Sequence, residues 1–457
     1  MSYESLIARK SHALEFPGIE PDEIASHMFP HQRDLARWAL RRGRSAIFAD
    51  TGLGKTPMQL EWARHVAMRG RVLILAPLAV AQQIEREGRK FGVPAAYRRK
   101  DEGDLITVAN YEMLHAFDPS AFVGVVLDES SILKSFDGTT RKRLTEAFAT
   151  TPFRLCCTAT PAPNDFTELG THAEFLGVKS RAEMLAEYFV HDGGSTQDWR
   201  IKGHAVVPFW RWVATWGAVV KRPSDLGHDD AGFALPPLRM HDHAVALDAD
   251  VVRAAGRLFA DDALTLSEQR AVKRATIDKR VALAAKLADH DRPVLVWCDL
   301  NDEGDALEAA IPGSVQVAGA DKDEDKTDRL LGFIDGRYRV LITKVSVAGF
   351  GLNLQHCADQ IFVGPSHSYE GRYQAIRRSW RFGQTKPVDV HVIRTDADGP
   401  IVANMRRKEA DAARMGAEMT AHVGEAVRTA VTGTTREWNI YQPAVPMTVP
   451  AWLKEAA

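Results

Sequence analysis

The run Ala49-Asp50-Thr51-Gly52-Leu53-Gly54-Lys55-Thr56 constrains this chain more than any other stretch. An apolar run, Ser45-Ala46-Ile47-Phe48, precedes it and a helix-like segment at 57–64 follows, so the local order is strand, tight loop, helix. Glycine permits positive φ and close backbone approach, which lets successive N–H groups turn inward around a phosphate chain. Thr51, Gly52 and Gly54 would form that cradle, Lys55 would reach the β and γ phosphates, and the Thr56 hydroxyl would ligate Mg²⁺. The full GxxxxGK[ST] pattern is not met, because Ala49 stands at the first glycine position. A lone Gly-Lys-Thr says little. The flanking strand and the segments downstream give it weight.

At 457 residues the chain exceeds one ordinary core, so two or three domains are expected. Hydrophobic residues at 45% and charged residues at 26% fit a soluble globular protein. No apolar stretch approaches the roughly 20 residues of a membrane span, and the start, Met1-Ser2-Tyr3-Glu4-Ser5, does not read as a secretory signal. Cys156, Cys157, Cys298 and Cys357 form no C-x-x-C pair and read as reduced core residues of a cytosolic protein. The net charge of −2 argues against coating nucleic acid by bulk charge, although a local basic groove stays open. Arg33, Arg37, Arg41, Arg42 and Arg44 are one candidate for such a groove, with a solvated helix face the favoured reading.

Between 45 and 160 apolar runs alternate with amphipathic stretches: strands are expected at 72–76, 105–108, 123–127 and 153–158. Continuous apolar strands separated by helices imply a parallel sheet covered on both faces. Residues 166–222, with Trp199, Trp210, Trp212 and Trp216 and a Gly-Gly-Ser break at 193–195, read as a helical insertion, and Pro223 and Leu235-Pro236-Pro237 mark a linker. A second α/β unit follows, with strands expected at 294–298, 315–317, 340–343, 360–363 and 388–393. Residues 250–290 and about 397–430 read as helical, and the last part as irregular. The expected organisation is an extension (1–28), a first unit (29–165), insertion and linker (166–240), a second unit (241–396) and a helical C-terminal extension (397–457).

Val125-Val126-Leu127-Asp128-Glu129 is an apolar strand ending in two carboxylates. Nucleotide hydrolases place a Mg²⁺-holding aspartate at such a tip, so Asp128 is the metal candidate and Glu129 the candidate base for the attacking water. In the segment Gln374-Ala375-Ile376-Arg377-Arg378-Ser379-Trp380-Arg381-Phe382-Gly383-Gln384, Arg378 and Arg381 share a helix face. Guanidinium groups stabilise charge developing on a transferred phosphoryl group. No such arginine lies near the loop in sequence, so the pair is expected across a cleft, with ATP between the two α/β units.

In this order the segments resemble the superfamily-two nucleic-acid motors, and within them the Snf-type DNA translocases, over about residues 29–395. Phe29-Pro30-His31-Gln32 with Trp38 is similar to the adenine-reading segment and points to Gln32. Residues 49–56 resemble the first motif, whose family form also begins with alanine. Leu75-Ala76-Pro77-Leu78 with Gln82 and Glu85, and Asn110-Tyr111-Glu112, resemble strand-contacting motifs. Asp128-Glu129-Ser130-Ser131 with Lys134 resembles the second ATPase motif, with Ser131 a departure from the usual His or Asp. Thr158-Ala159-Thr160-Pro161, with Asn164 and Glu168-Leu169, is similar to the coupling motif. Lys221-Arg222 resembles the exit from the insertion, 294–298 motif four, Ala348-Gly349-Phe350-Gly351-Leu352-Asn353-Leu354 motif five, and 374–384 motif six with its closing Arg-x-Gly-Gln.

The resemblance implies two RecA-like parallel-sheet domains in tandem, with a helical insertion and a C-terminal helical extension. ATP and Mg²⁺ would lie in the cleft, with Gly351 and Gln374 also at the nucleotide. It assigns coupling or nucleic-acid contact to Pro77, Asn110, Tyr111, Thr158, Thr160, Thr343 and Asn353. The implied activity is ATP hydrolysis driving movement on double-stranded DNA, tracked through its backbone, with or without strand separation. An RNA or single-strand helicase with the same core is one alternative, and a nucleotide-gated DNA-binding scaffold without turnover another. The expected setting is the cytoplasm of a bacterial or phage-infected cell. Trp210, Trp212 and Trp216 read as core before base-stacking residues. His204, His228, His241 and His243 fit no common metal spacing and read as polar surface.

Overall fold

Among the described residues of the structure, a computed structural model, fifteen strands form two all-parallel sheets and one hairpin. The structure describes residues 17–134, 138–163, 165–191, 199–246, 266–348, 353–365, 368–395 and 398–432. In the first lobe, β1 (Arg44–Ala49), β2 (Val72–Ala76), β3 (Ala95–Tyr97), β4 (Ile106–Asn110), β5 (Gly124–Asp128), β6 (Phe153–Cys157) and β9 (Gly217–Val220) lie in the order β3-β4-β2-β5-β6-β1-β9. Their side chains are almost wholly buried, as expected of strands covered by helices on both faces. Because the strands are parallel, the loops after β1, β2, β4, β5 and β6 gather along one rim, where open α/β sheets bind ligands.

The second lobe has β10 (Leu238–Val245), β11 (Val294–Cys298), β12 (Ser314–Val317), β13 (Val340–Lys344), β14 (Asp359–Phe362) and β15 (Val388–Thr395), ordered β10-β15-β14-β11-β13-β12. Two parallel-sheet lobes in tandem, followed by a long helix at Gly399–Thr432, is the architecture expected from the sequence.

Residues 166–222 are not a wholly helical insertion. They contain an antiparallel hairpin, β7 (Phe189–His191) with β8 (Trp199–Ile201), and then β9, which pairs with β1 and completes the first sheet well past residue 165. The short apolar Gly217-Ala218-Val219-Val220 is legible as a strand only once the open edge of β1 is known. The Gly-Gly-Ser break lies outside the described residues. Likewise β10 begins at Leu238, directly after the two prolines, with Leu238 opposite Val388. The tryptophan expectation holds: Trp210 and Trp216 are fully buried, and Trp212 packs against the same core, stacked on Tyr188.

The helix Gly399–Thr432 ties the lobes together. It follows β15, and Arg372 pairs with its Glu409 in the second lobe. Fourteen residues on from Met405, Met419 sits in the first lobe's hydrophobic core.

Candidate nucleotide site at the lobe seam

The loop after β1 is held at its start. Asp50 N–H donates to Val220 O at 2.9 Å, and Thr51 N–H donates to Asp50 Oδ1 at 2.7 Å. Gly52 (φ 95°) and Gly54 (φ 80°) are in the left-handed region. Neither could carry a side chain: a Cβ would come 2.8 Å from Phe382 N at Gly52 and 2.2 Å from Gln32 Nε2 at Gly54. Gly54 caps the helix Lys55–Val66, whose free N–H groups and dipole favour an anion. The Lys55 ammonium is folded over the loop, donating to Ala49 O at 3.0 Å. Thr56 lies in the first turn of that helix.

Gln32 adjoins the loop through its side chain. Its Nε2 donates to Leu53 O at 3.0 Å while its Oε1 accepts from Phe29 N–H. His31 lies against the same carbonyl, and burial pushes its pKa down. Phe29, Phe233 and Phe382, from three separate segments, cluster beside it, with Phe233 and Phe382 centroids 4.7 Å apart.

Asp128 and Glu129 end β5 on the same rim. Asp128 is buried, and its Oδ1 accepts from Gln59 Nε2 at 2.6 Å. Burial and then the adjacent Glu129 charge push its pKa up to about 6, with the Gln59 hydrogen bond and Lys55 opposing. Glu129 is the sole non-glycine residue with positive φ (52°) among the described residues. That strained backbone turns its carboxylate toward the second lobe. Its Oε2 lies 3.4 Å from Thr158 Oγ1 of its own lobe and 3.5 Å from Gln374 Nε2 of the second.

The opposing wall is the helix Tyr369–Ile376 and the turn after it. Arg378 is buried and fixed by Gln374, donating to its carbonyl and to its Oε1, each at 3.0 Å. Burial lowers its pKa, while Glu129 and Asp128 act to raise it. Burial and then Arg378 push Arg381 down to about 10, against the pull of Glu87 and Glu129, and both arginines stay charged at neutral pH. Arg381 Nε is buried with no hydrogen-bond partner. So the structure brings Asp128 and Glu129 within electrostatic reach of Lys55, Arg378 and Arg381. Gly351 lies outside the described residues, as does Asn164.

The donor set suits Mg²⁺. Two adjoining carboxylates at one strand tip, one of them desolvated, call for a cation, and Thr56 and Asp128 offer the hard oxygens Mg²⁺ takes.

The residues assigned to nucleic-acid contact divide. Pro77, Tyr111 and Asn353 line a cleft of about 1600 Å³ between the lobes. Tyr111, however, spends its hydroxyl on Asp128 O at 2.7 Å, supporting the carboxylate strand. Asn110 is buried between Tyr97 and Glu112. Thr158 is buried on Glu129, and Thr160 Oγ1 faces Glu370 at 3.5 Å. Thr343 is buried, its hydroxyl donating to Val317 O at 2.9 Å. Of the five basic-cluster arginines, Arg41 pairs with Glu20 while Arg42 and Arg44 bind backbone carbonyls, which makes them largely structural.

Sequence reasoning missed Asp50, Tyr373, Arg377 and Glu370. Tyr373 Oη donates to Asp50 Oδ1 at 2.7 Å, and Arg377 pairs with Asp50 Oδ2 at 2.9 Å. Glu370 pairs with Lys134. A signal was present: 370, 373, 374 and 377 follow the i, i+3, i+4, i+7 spacing of one helix face, and all are polar.

The four cysteines are free and buried. His228 pairs with Asp34, His241 with Asp389 and His243 with His391, and among the described residues no group of His, Cys, Asp or Glu is arranged to hold a metal by itself. No helix of the described residues is long and apolar enough to cross a membrane.

No protein-family model matches the sequence, and no curated protein does. Among solved structures the chain is similar to the Sulfolobus solfataricus SWI2/SNF2 ATPase core in complex with dsDNA, at 17% identity and a TM-score of 0.42, over 91% of this chain and 99% of that one.

Proposed function

We propose that this chain is an ATP-hydrolysing motor that moves on double-stranded DNA, in a bacterial or phage-infected cell. One observation carries the reading: a glycine loop with a lysine and a strand-end carboxylate pair in one lobe faces the buried Arg378 and the half-buried Arg381 of the other. A site divided in this way works fully only when the lobes are together, and that dependence lets hydrolysis drive relative motion.

Lys55 and the N–H groups of 51–56 hold the β and γ phosphates, with Gln32 at the base. Mg²⁺, held by Thr56 and Asp128, would screen charge on the phosphates. Glu129 accepts the proton of the attacking water as oxygen bonds to the γ-phosphorus and the bond to the bridging oxygen breaks. Arg378 and Arg381 stabilise the charge that develops on the equatorial oxygens, and Gln374 holds Arg378 while reaching Glu129. Thr158 and Thr160 link this chemistry to the nucleic-acid side. Thr158 lies on Glu129, and Thr160 reaches Glu370 of the other lobe.

The test is ATP turnover with duplex DNA, single-stranded DNA or RNA added separately. Severalfold stimulation by the duplex is expected. Stimulation by RNA alone would overturn the substrate assignment, and absence of turnover with every polymer would overturn the motor.

A further inference from the structure

The helix Tyr369–Ile376 docks on the first lobe through one polar face. Two carboxylates anchor it in opposite directions. Asp50 of the first lobe receives Tyr373 and Arg377 of the second. Glu370 of the second receives Lys134 and Thr160 of the first. The Asp50 anchor is also built in advance. The Arg377 guanidinium stacks over Tyr373 (5.1 Å) and Trp380 (4.4 Å), and Trp380 Nε1 donates to Pro236 O at 2.7 Å. On the other side Asp50 Oδ1 already accepts the Thr51 N–H that opens the phosphate loop. The group that shapes the start of the loop is therefore the group the second lobe grips, one residue before Arg378.

We propose that Asp50, Tyr373 and Arg377 are positioning residues of the ATPase site: this ion pair seats the second lobe on the phosphate loop, and so sets where Arg378 and Arg381 stand. The inference deepens the proposed hydrolysis and rests on it. None of the three residues has to touch the nucleotide. Their charges nevertheless predict an asymmetry. Asp50 is an anion beside a loop that must accept a triphosphate, and Arg377 neutralises it. Loss of Arg377 leaves the carboxylate bare and opposes ATP binding. Loss of the Asp50 charge leaves an extra cation near the phosphates and does not.

The experiment combines steady-state kinetics with a distance measurement in the full chain. Exposed Met68 and Asp302, one in each lobe, are changed to cysteine and labelled for energy transfer, the native cysteines being buried. Without nucleotide, transfer should be high, should fall in Asp50→Asn and Arg377→Ala, and should stay close to the wild type in Arg377→Lys, which keeps the charge facing Asp50. kcat should fall roughly 10- to 100-fold in both single variants, as for misplaced catalytic groups. KM for ATP should rise in Arg377→Ala only, and Tyr373→Phe should show a smaller fall in kcat. A merely structural pair would move KM alike in both variants, whichever charge is removed. Unchanged transfer in both single variants, or an Arg377→Lys variant no better than Arg377→Ala, overturns the proposal. If the wild type hydrolyses no ATP, the motor reading falls, and the transfer series alone decides whether the pair docks the lobes.

Discussion

The seam and the open cleft are two faces of the same gap between the lobes, and they are built on opposite plans. At the seam the polar groups of the docking helix meet partners across the gap: Glu370 with Lys134, Tyr373 and Arg377 with Asp50, Gln374 with Glu129. The open cleft shares Glu129, Lys134 and Glu370 with the seam, and its described lining carries more carboxylates than cations. The seam is made to be matched by protein and by one small anion. On the proposed function, a phosphate backbone would draw on the exposed Arg86 and Arg99 of that lining. Densely paired contact at one face and exposed charge at the other suit the motor proposed above.

The largest expected effect lies at the seam. Glu129→Gln keeps the shape of the side chain and removes the base, so turnover should fall by roughly 10²- to 10⁴-fold with nucleotide binding retained. Equal hydrolysis in that variant would remove Glu129 from the mechanism and make the seam merely structural. Next, Arg381→Ala should lower kcat by at least about 10²-fold with little effect on ATP affinity. A pure affinity defect would mean that the arginine binds ground state and transition state alike.

Asp128 provides a pH test. Its folded pKa is raised to about 6 from the usual carboxylate range near 4, so its ionised form is disfavoured in the fold. Turnover should therefore rise with pH through about 6, and added Mg²⁺, which binds the ionised form, should move that limb to lower pH. The stability contribution has the opposite sign: it is fully present below about pH 4 and is lost as pH rises through 6. Asp128→Asn should abolish this part of the pH dependence of unfolding. The smallest effects belong to the cleft. Arg86→Ala or Arg99→Ala should each weaken duplex binding a few-fold and reduce the salt slope by about 1, leaving basal turnover unaltered. A change in basal turnover would mean that cleft and seam are not separate.

Much of this was legible in the sequence for a physical reason. Strands such as Val72-Leu73-Ile74-Leu75-Ala76 are buried on both faces, so their apolar runs are unbroken and easy to see. The glycine loop and Asp128-Glu129 carry their chemistry in contiguous residues. What was missed is defined by partners far away in the chain. β9 is four small apolar residues that become a strand only against β1. Asp50 sits inside the most informative run of the sequence, yet its partners lie 323 and 327 residues further on. No local pattern reports a contact of that kind.

The most direct measurement is a structure with Mg²⁺ and a non-hydrolysable ATP analogue. The account predicts that the triphosphate lies in the 51–56 loop with its γ group between Lys55 and the guanidinium of Arg381. A triphosphate bound there with Arg378 and Arg381 both remote from it in a closed chain, or one bound outside the seam, would contradict the account.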